Sequence, residues 1–309
     1  MNDWQFVQGR KSLQANSSIY IGQHISHKQD VIRTILPRLF AFDIEWIPDP
    51  EAAQRLYGID VSTPQGMEDA YRVLWQKAGA TEENPHPFVK ITLSRIVSIC
   101  GIYREVDASG SVNLKLVSLP SNPSDPAQQD ERAILQGINR SLSDKQPQLV
   151  GFNSARSDLP IIVNRSVIHG LNSHGWARRP DKPWEGVDYF SQHGDAHVDM
   201  APLLGWGYQM PTLHEIATTS GIPGKIDASG ASVADMWLNG KIEGIVHYNE
   251  YDAFTTYLLW ARVAHFSSLL DQDAYDAELE RVETLLESEI ANGKKHLQQY
   301  LDVWRDIRF

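Results

Sequence analysis

The sequence predicts an α/β fold with one main domain. Three observations carry this. A run of β-prone apolar residues occupies 38–46, two further strand-like runs flank a Gly/Ser/Asp turn, and later segments set apolar residues at helical spacing. The 42% hydrophobic content of the 309 residues suffices for a buried core, and the length fits one enlarged domain. Residues 1–37 are read as an N-terminal extension and 38–265 as the main domain. Residues 266–309 are read as a helical C-terminal tail packing on the domain or on a partner.

The extension is weakly patterned and basic in balance. In "RLFAFDIEWIPDP" (38–50), Leu39, Phe40, Ala41, Phe42, Ile44 and Trp46 read as a buried strand that Asp43 and Glu45 interrupt. The Pro-rich "IPDPEAAQ" reads as an exit toward a helix over "GMEDAYRVLWQKAGA", and "TEENPHPF" as a loop. "SRIVSICGIYRE" and "VNLKLVSLP" predict a hairpin about "VDASGS". "DERAILQGINRSLSD" predicts a helix with Ala133, Ile134, Leu135, Ile138 and Leu142 on its apolar side. A short strand "PQLVGFN" and a helix "SDLPIIVNRSVIHGL" follow, the helix closing near Gly170. "NSHGWARRPDKPWEG" reads as a loop, "AHVDMAPLL" as a strand entering a helix, and "PTLHEIATTSGI" as a helix stopped by Gly221. The strongest helical pattern is "GIVHYNEYDAFTTYLLWARVAHF". The tail from about 273 to 305 is mostly helical, and its seven Asp/Glu against one Arg over 273–290 read as a solvated face. Leu279, Val282, Leu286 and Ile290 form the apolar side, for packing on the domain or for an oligomer interface, and the oligomeric state stays open.

The totals exclude several classes. A net charge of −11 argues against a protein that coats DNA, though not against an enzyme that touches nucleic acid along one groove. A single cysteine, Cys100, rules out a disulfide framework and a thiolate metal site. No apolar run of about 18 residues is present, and the N-terminus lacks an apolar signal core. The expectation is a soluble, cytoplasmic protein with no membrane contact.

Chemistry gathers on acids. Residues two apart on a strand share a face, so Asp43 and Glu45 present adjacent carboxylates that repel unless a proton or a divalent cation neutralises them. A wet strand face is the plain alternative. Asp158 precedes Leu-Pro at a helix start, where, taken alone, an N-cap role is the favoured reading. Tyr248 and Asp252 stand four apart, stacked on one helix face, and periodicity alone leaves open whether Asp252 faces inward.

Together the three segments resemble, in order, the motifs of the 3′–5′ exonucleases of the ribonuclease H-like superfamily. "FDIE" resembles the first motif, "GFNSARSDLP" the Asn-containing second motif and "YNEYD" the Tyr-x-x-x-Asp form of the third, the DEDDy type. The chain is most similar to predicted exonucleases related to the proofreading domain of family B DNA polymerases. "HVDMAPLL", "GIPGKIDASGASVADMW" and "YDAFTTYLLW" add to that resemblance, which spans about 38–262. Two departures stand out: Ser157 where an aromatic is common before the second-motif acid, and Trp46 where a small hydroxyl residue is frequent.

The resemblance implies a ribonuclease H-like mixed sheet flanked by helices. It implies that Asp43, Glu45, Asp158 and Asp252 hold two divalent cations, Mg²⁺ or Mn²⁺, with Tyr248 orienting the attacking water. Cations of this kind activate water and stabilise the departing oxygen in two-metal nucleases. The implied activity is hydrolysis at single-stranded DNA 3′ ends, releasing nucleoside 5′-monophosphates. An exoribonuclease with the same centre and a non-catalytic nucleic-acid-binding module are the alternatives, and a replication or repair partner is implied if the activity is proofreading. His247, five residues before Asp252, also matches a His-x-x-x-x-Asp variant in which histidine is the general base. The surrounding sequence favours Tyr248. Asn153, Trp46 and Lys225 are candidate substrate contacts, Lys225 being equally readable as a loop lysine. Phe42 is read as core, and Asp195, His197 and Asp199 as a structural strand end near the centre. His193, His214 and His296 are read as surface or capping residues, and Ser154 and Ser157 as having no His–Asp pair to make either a nucleophile.

Overall fold

Strand β1 (Arg38–Pro48) sends apolar side chains to both faces, a pattern that only an interior strand satisfies. It pairs antiparallel with β2 (Ser94–Val106), which pairs antiparallel with β3 (Val112–Leu119). On its other side β1 runs parallel to β4 (Gln148–Gly151), and β4 runs parallel to β5 (His197–Asp199). The order β3-β2-β1-β4-β5, with β1, β4 and β5 parallel and β2 antiparallel to them, is a mixed sheet flanked by helices, as expected. The protein is described by a computed structural model covering residues 32–182, 185–191, 194–206, 208–226 and 233–308. The first 31 residues of the extension, and His193, lie outside the described residues.

The two faces of β1 divide the core. Phe40, Phe42 and Ile44 pack against α3 (Glu131–Lys145) and α4 (Asp158–Ile168), with Phe40 and Phe42 stacked at 5.7 Å. Phe42 is therefore core, as its direction opposite Asp43 predicts. Leu39 and Ala41 face the other way, toward α8 (Ile242–Phe266), a helix buried on nearly every side. A bulge modifies β2: Val97 is the extra residue where the register shifts between Glu45 and Trp46. The N–H of Ile96 turns instead to buried Glu131, at 2.7 Å. Glu131 also binds Arg165 and His169, and Arg165 reaches Asp49 at 2.7 Å.

The sequence reading needs two additions. "DPEAAQ" is not an exit loop but part of α1 (Pro50–Tyr57): Asp49 is its N-cap, accepting from the Glu51 N–H, and Pro50 begins its first turn. Helix α2 (Pro64–Lys77) follows as expected. A short helix, α7 (Val233–Leu238), lies within the segment read only as a family signature. In the 172–186 loop, Trp176 is buried, donating to Asn139 Oδ1 at 3.1 Å.

Helices α9 (Gln272–Ala291) and α10 (Leu297–Ile307) pack back on α8 and on each other, and α9 also meets β3. Val282 and Leu286 are fully buried, with Leu279 and Ile290 beside them. The acidic face of α9 is not wholly solvated. Glu278 is buried, where it accepts from Arg104 at 2.8 Å and from the Tyr257 hydroxyl at 2.5 Å. Among the described residues, no helix is long and apolar enough to cross a membrane.

Candidate active site

Asp43 and Glu45 leave β1 on the same face as Leu39 and Ala41, so they point at α8. There they meet Asp252, which lies in the middle of that helix. One carboxylate oxygen from each of Asp43, Glu45 and Asp252 falls within 4.8 Å of the others. Asp158 stands outside this tight set but beside it. Where β4 has ended, the N–H of Ile44, between the two strand acids, donates to Asp158 Oδ1 at 3.2 Å. Asp158 begins α4, yet the N-cap position belongs to Ser157, so the capping role does not explain this acid. The Ser157 hydroxyl lies within hydrogen-bond reach of both Asp158 Oδ2 and the Asn153 carbonyl. Serine in place of an aromatic thus supplies a polar support for the acid.

The electrostatics of the four are those of crowded acids, Asp158 buried and the other three half-buried. Burial raises the carboxyl of Asp43 well above its ordinary range, and the charges of Asp158, Glu45 and Asp252 raise it further. Glu45 is raised by burial and then by Asp252 and Asp158. Burial pushes Asp158 and Asp252 to about 6. Lys225 opposes this, lowering Asp43, Glu45 and Asp252. An all-oxygen set that cannot ionise together at low cost fits a hard divalent cation, which prefers oxygen and removes the repulsion.

Lys225 is therefore no remote loop lysine. Its Nζ lies 5.9 Å from the Tyr248 ring centre, and its backbone N–H donates to His214 Nδ1 at 3.0 Å. The preceding Gly224 permits this approach, since a Cβ there would sit 2.2 Å from that same nitrogen. Thr212, Leu213, His214, Gly224, Lys225, Asp252 and Thr255 line one cavity of about 380 Å³. His214, read as a surface histidine, thus fixes the lysine loop.

Tyr248 hydrogen-bonds Asp252 one turn along α8, and burial plus the nearby acids raise its phenol far above the usual range. It is a neutral donor beside the carboxylates. His247 turns elsewhere: its ring stacks on His296 at 3.5 Å, and its Nε2 lies 3.7 Å from Glu243. His296 is correspondingly not a surface residue. It binds the fully buried Glu250 at 2.7 Å, and Lys294 binds Glu250 too.

Asn153 adopts φ 60, and its N–H donates to Asp199 Oδ1 at 2.7 Å. Asp199 also accepts from Ala155 at 3.0 Å and Ala201 at 3.2 Å, so the "HVD" strand end holds the second-motif loop in shape. That agrees with its structural reading. The buried Oδ1 of Asn153 has no partner among the described residues, leaving an acceptor unused beside the loop that carries Asp158. Ser154 does meet a histidine, His197 Nε2 at 2.8 Å, a neighbour the sequence did not reveal. Ser154 is fully buried, and burial lowers His197 to about 4, so the pair is a neutral strut. Trp46 is half-buried with its ring edge-on to Phe88 at 5.9 Å.

The family model described as "Predicted 3'-5' exonuclease related to the exonuclease domain of PolB" matches residues 86–304. That span contains Asn153, Asp158, Lys225, Tyr248 and Asp252, and starts after Asp43 and Glu45. Among solved structures, the family B DNA polymerase from the hyperthermophilic archaeon Pyrobaculum calidifontis is similar at 17% identity and a TM-score of 0.40, covering 81% of this chain and 28% of that one. No curated protein matches.

Proposed function

The chain belongs to the family of predicted 3′–5′ exonucleases related to the exonuclease domain of PolB, and we propose that it is a metal-dependent 3′–5′ exonuclease acting on single-stranded DNA ends. The reading rests on one observation: Asp43, Glu45 and Asp252 converge within 4.8 Å, with Asp158 against the same strand. These four would hold two Mg²⁺ or Mn²⁺ ions, which when bound supply charge neutralisation for water attack and for the departing 3′ oxygen. Each remaining role falls to a side chain. Tyr248, a neutral hydroxyl tied to Asp252, orients the attacking water by hydrogen bonding. Lys225 contributes positive charge toward the phosphate, and Asn153 is the candidate amide N–H donor to the strand backbone. Trp46, partly open at the end of β1, offers a side of its ring to a base. The products are nucleoside 5′-monophosphates. Work beside a separate replication or repair protein is consistent with this activity.

The test is degradation of 5′-labelled DNA and RNA strands with Mg²⁺ or Mn²⁺, with and without chelator, by wild type and Asp43→Ala. A chelator-sensitive ladder that Asp43→Ala abolishes is expected, stronger on DNA. A ladder stronger on RNA would convert the reading to an exoribonuclease. Binding without degradation would leave a nucleic-acid-binding module and overturn the enzyme.

A further inference from the structure

The segment joining α5 (Met200–Gly205) to α6 (Leu213–Thr219) carries two aromatic side chains held out in water. Trp206 is 67% exposed and Tyr208 92% exposed. Isolated apolar residues on a surface need no explanation, but two large and highly exposed aromatics two positions apart on one loop call for one. The described residues of the loop make local backbone hydrogen bonds. Trp206 closes α5 in a left-handed conformation, φ 49, with its N–H on the Pro202 carbonyl at 3.1 Å. The Tyr208 N–H donates to the Gly205 carbonyl at 3.0 Å. A Cβ on Gly205 would sit 2.7 Å from the Met210 Cα, so the loop folds tightly on itself.

Its position links it to the acids. The loop ends at Thr212, which is fixed by a reciprocal capping box with Glu215. Thr212 lines the same cavity as Lys225 and Asp252. Tyr208 is four residues before Thr212, so it lies within about 14 Å of that wall along the chain. Charge makes an uncharged holding device useful here. With a net charge of −11, the molecule as a whole repels a polyphosphate strand, and Lys225 offsets this only locally.

We propose that Trp206 and Tyr208 form a stacking platform for the unpaired bases just upstream of the scissile 3′ end. Every base has a π-face, so the platform takes any sequence, and bases already stacked in a duplex are not offered to it. This makes the loop a determinant of single-strand preference, and it rests on the exonuclease reading above.

The experiment compares a 5′-labelled single strand with one of equal length whose nucleotides just upstream of the 3′ end are abasic, both with Mn²⁺. Wild type should lose at least tenfold in kcat/KM on the abasic strand. W206A/Y208A should lose at least tenfold on the ordinary strand, chiefly through KM, and should no longer distinguish the two strands. W206F/Y208F keeps two rings and should retain the discrimination. Wild type degrading both strands equally, or W206A/Y208A discriminating as wild type does, would overturn the platform while leaving the exonuclease standing. Degradation of neither strand by wild type would overturn the exonuclease reading, and the platform with it.

Discussion

Tyr248 and His247 are neighbours in sequence but point about 100° apart around α8, and that single step assigns them to different surroundings. Tyr248→Phe removes the hydroxyl bound to Asp252 and should cut kcat by about 10²-fold or more, the scale of losing one positioned hydrogen-bond donor. His247→Ala removes a ring stacked on His296 and should change kcat little. The reverse result in steady-state assays would reassign the role. A second expectation concerns pH. Burial raises Asp158 to about 6, against an unfolded value near 4, so the folded state holds the extra proton between those limits. Stability from this acid is therefore present at low pH and lost as pH rises through about 6. In chelator, Asp158→Asn should melt above wild type at pH 7.5 and close to it at pH 4.5. Equal gaps at both pH values would contradict a strained acid. Lys225→Met removes the charge that lowers three of the carboxyls, so the acid limb of the activity profile should move to higher pH. An unmoved limb would separate Lys225 from the acids.

At the scale of elements, the long patterned segments were legible and the short ones were not. β1, the β2–β3 hairpin, α3 and α8 announce themselves through alternation or helical spacing over eight or more residues. Helix α1 was hidden because Asp-Pro reads as a chain breaker in an extended exit, although Pro is also suited to a helix's first turn once an N-cap precedes it. Helix α7 has six residues, too few to show a period. Within the site, Asp43 and Glu45 were legible because their two-residue spacing sets them on one strand face. The supports were legible only in part: Asp199 reads as a structural strand end, but its partner Asn153 lies 46 positions away and His214 lies 11 from Lys225, distances that no local pattern spans. The same logic predicts what Asp199 does. Asp199→Ala strips the acceptor from three backbone N–H groups, so it should lower both melting temperature and activity although Asp199 is not among the converging acids. Full activity at an unchanged melting temperature would count against that bracing role.

For the whole molecule, substrate retention by stacking differs from retention by charge in its response to salt. A protein that neutralises many phosphates loses affinity steeply as salt rises, whereas an acidic molecule with one lysine beside its carboxylates should show a shallow slope. Oligonucleotide binding titrated from 50 to 200 mM salt tests this; a loss of about 10³-fold would point to an extensive basic track instead. The C-terminal helices set a different limit. Glu278 of α9 satisfies Arg104 of β2 and Tyr257 of α8, while Lys294 and His296 satisfy Glu250, two residues before Asp252. Removing one member of such a buried pair typically costs about 3–5 kcal/mol, because its partner is left charged and dry. Anyone wishing to transplant this unit, or to trim it to a minimal fragment, would therefore do better to keep α9 and α10 than to cut after residue 265. The shorter piece would keep Asp43, Glu45, Asp158 and Asp252 and lose the lining that keeps α8 in position.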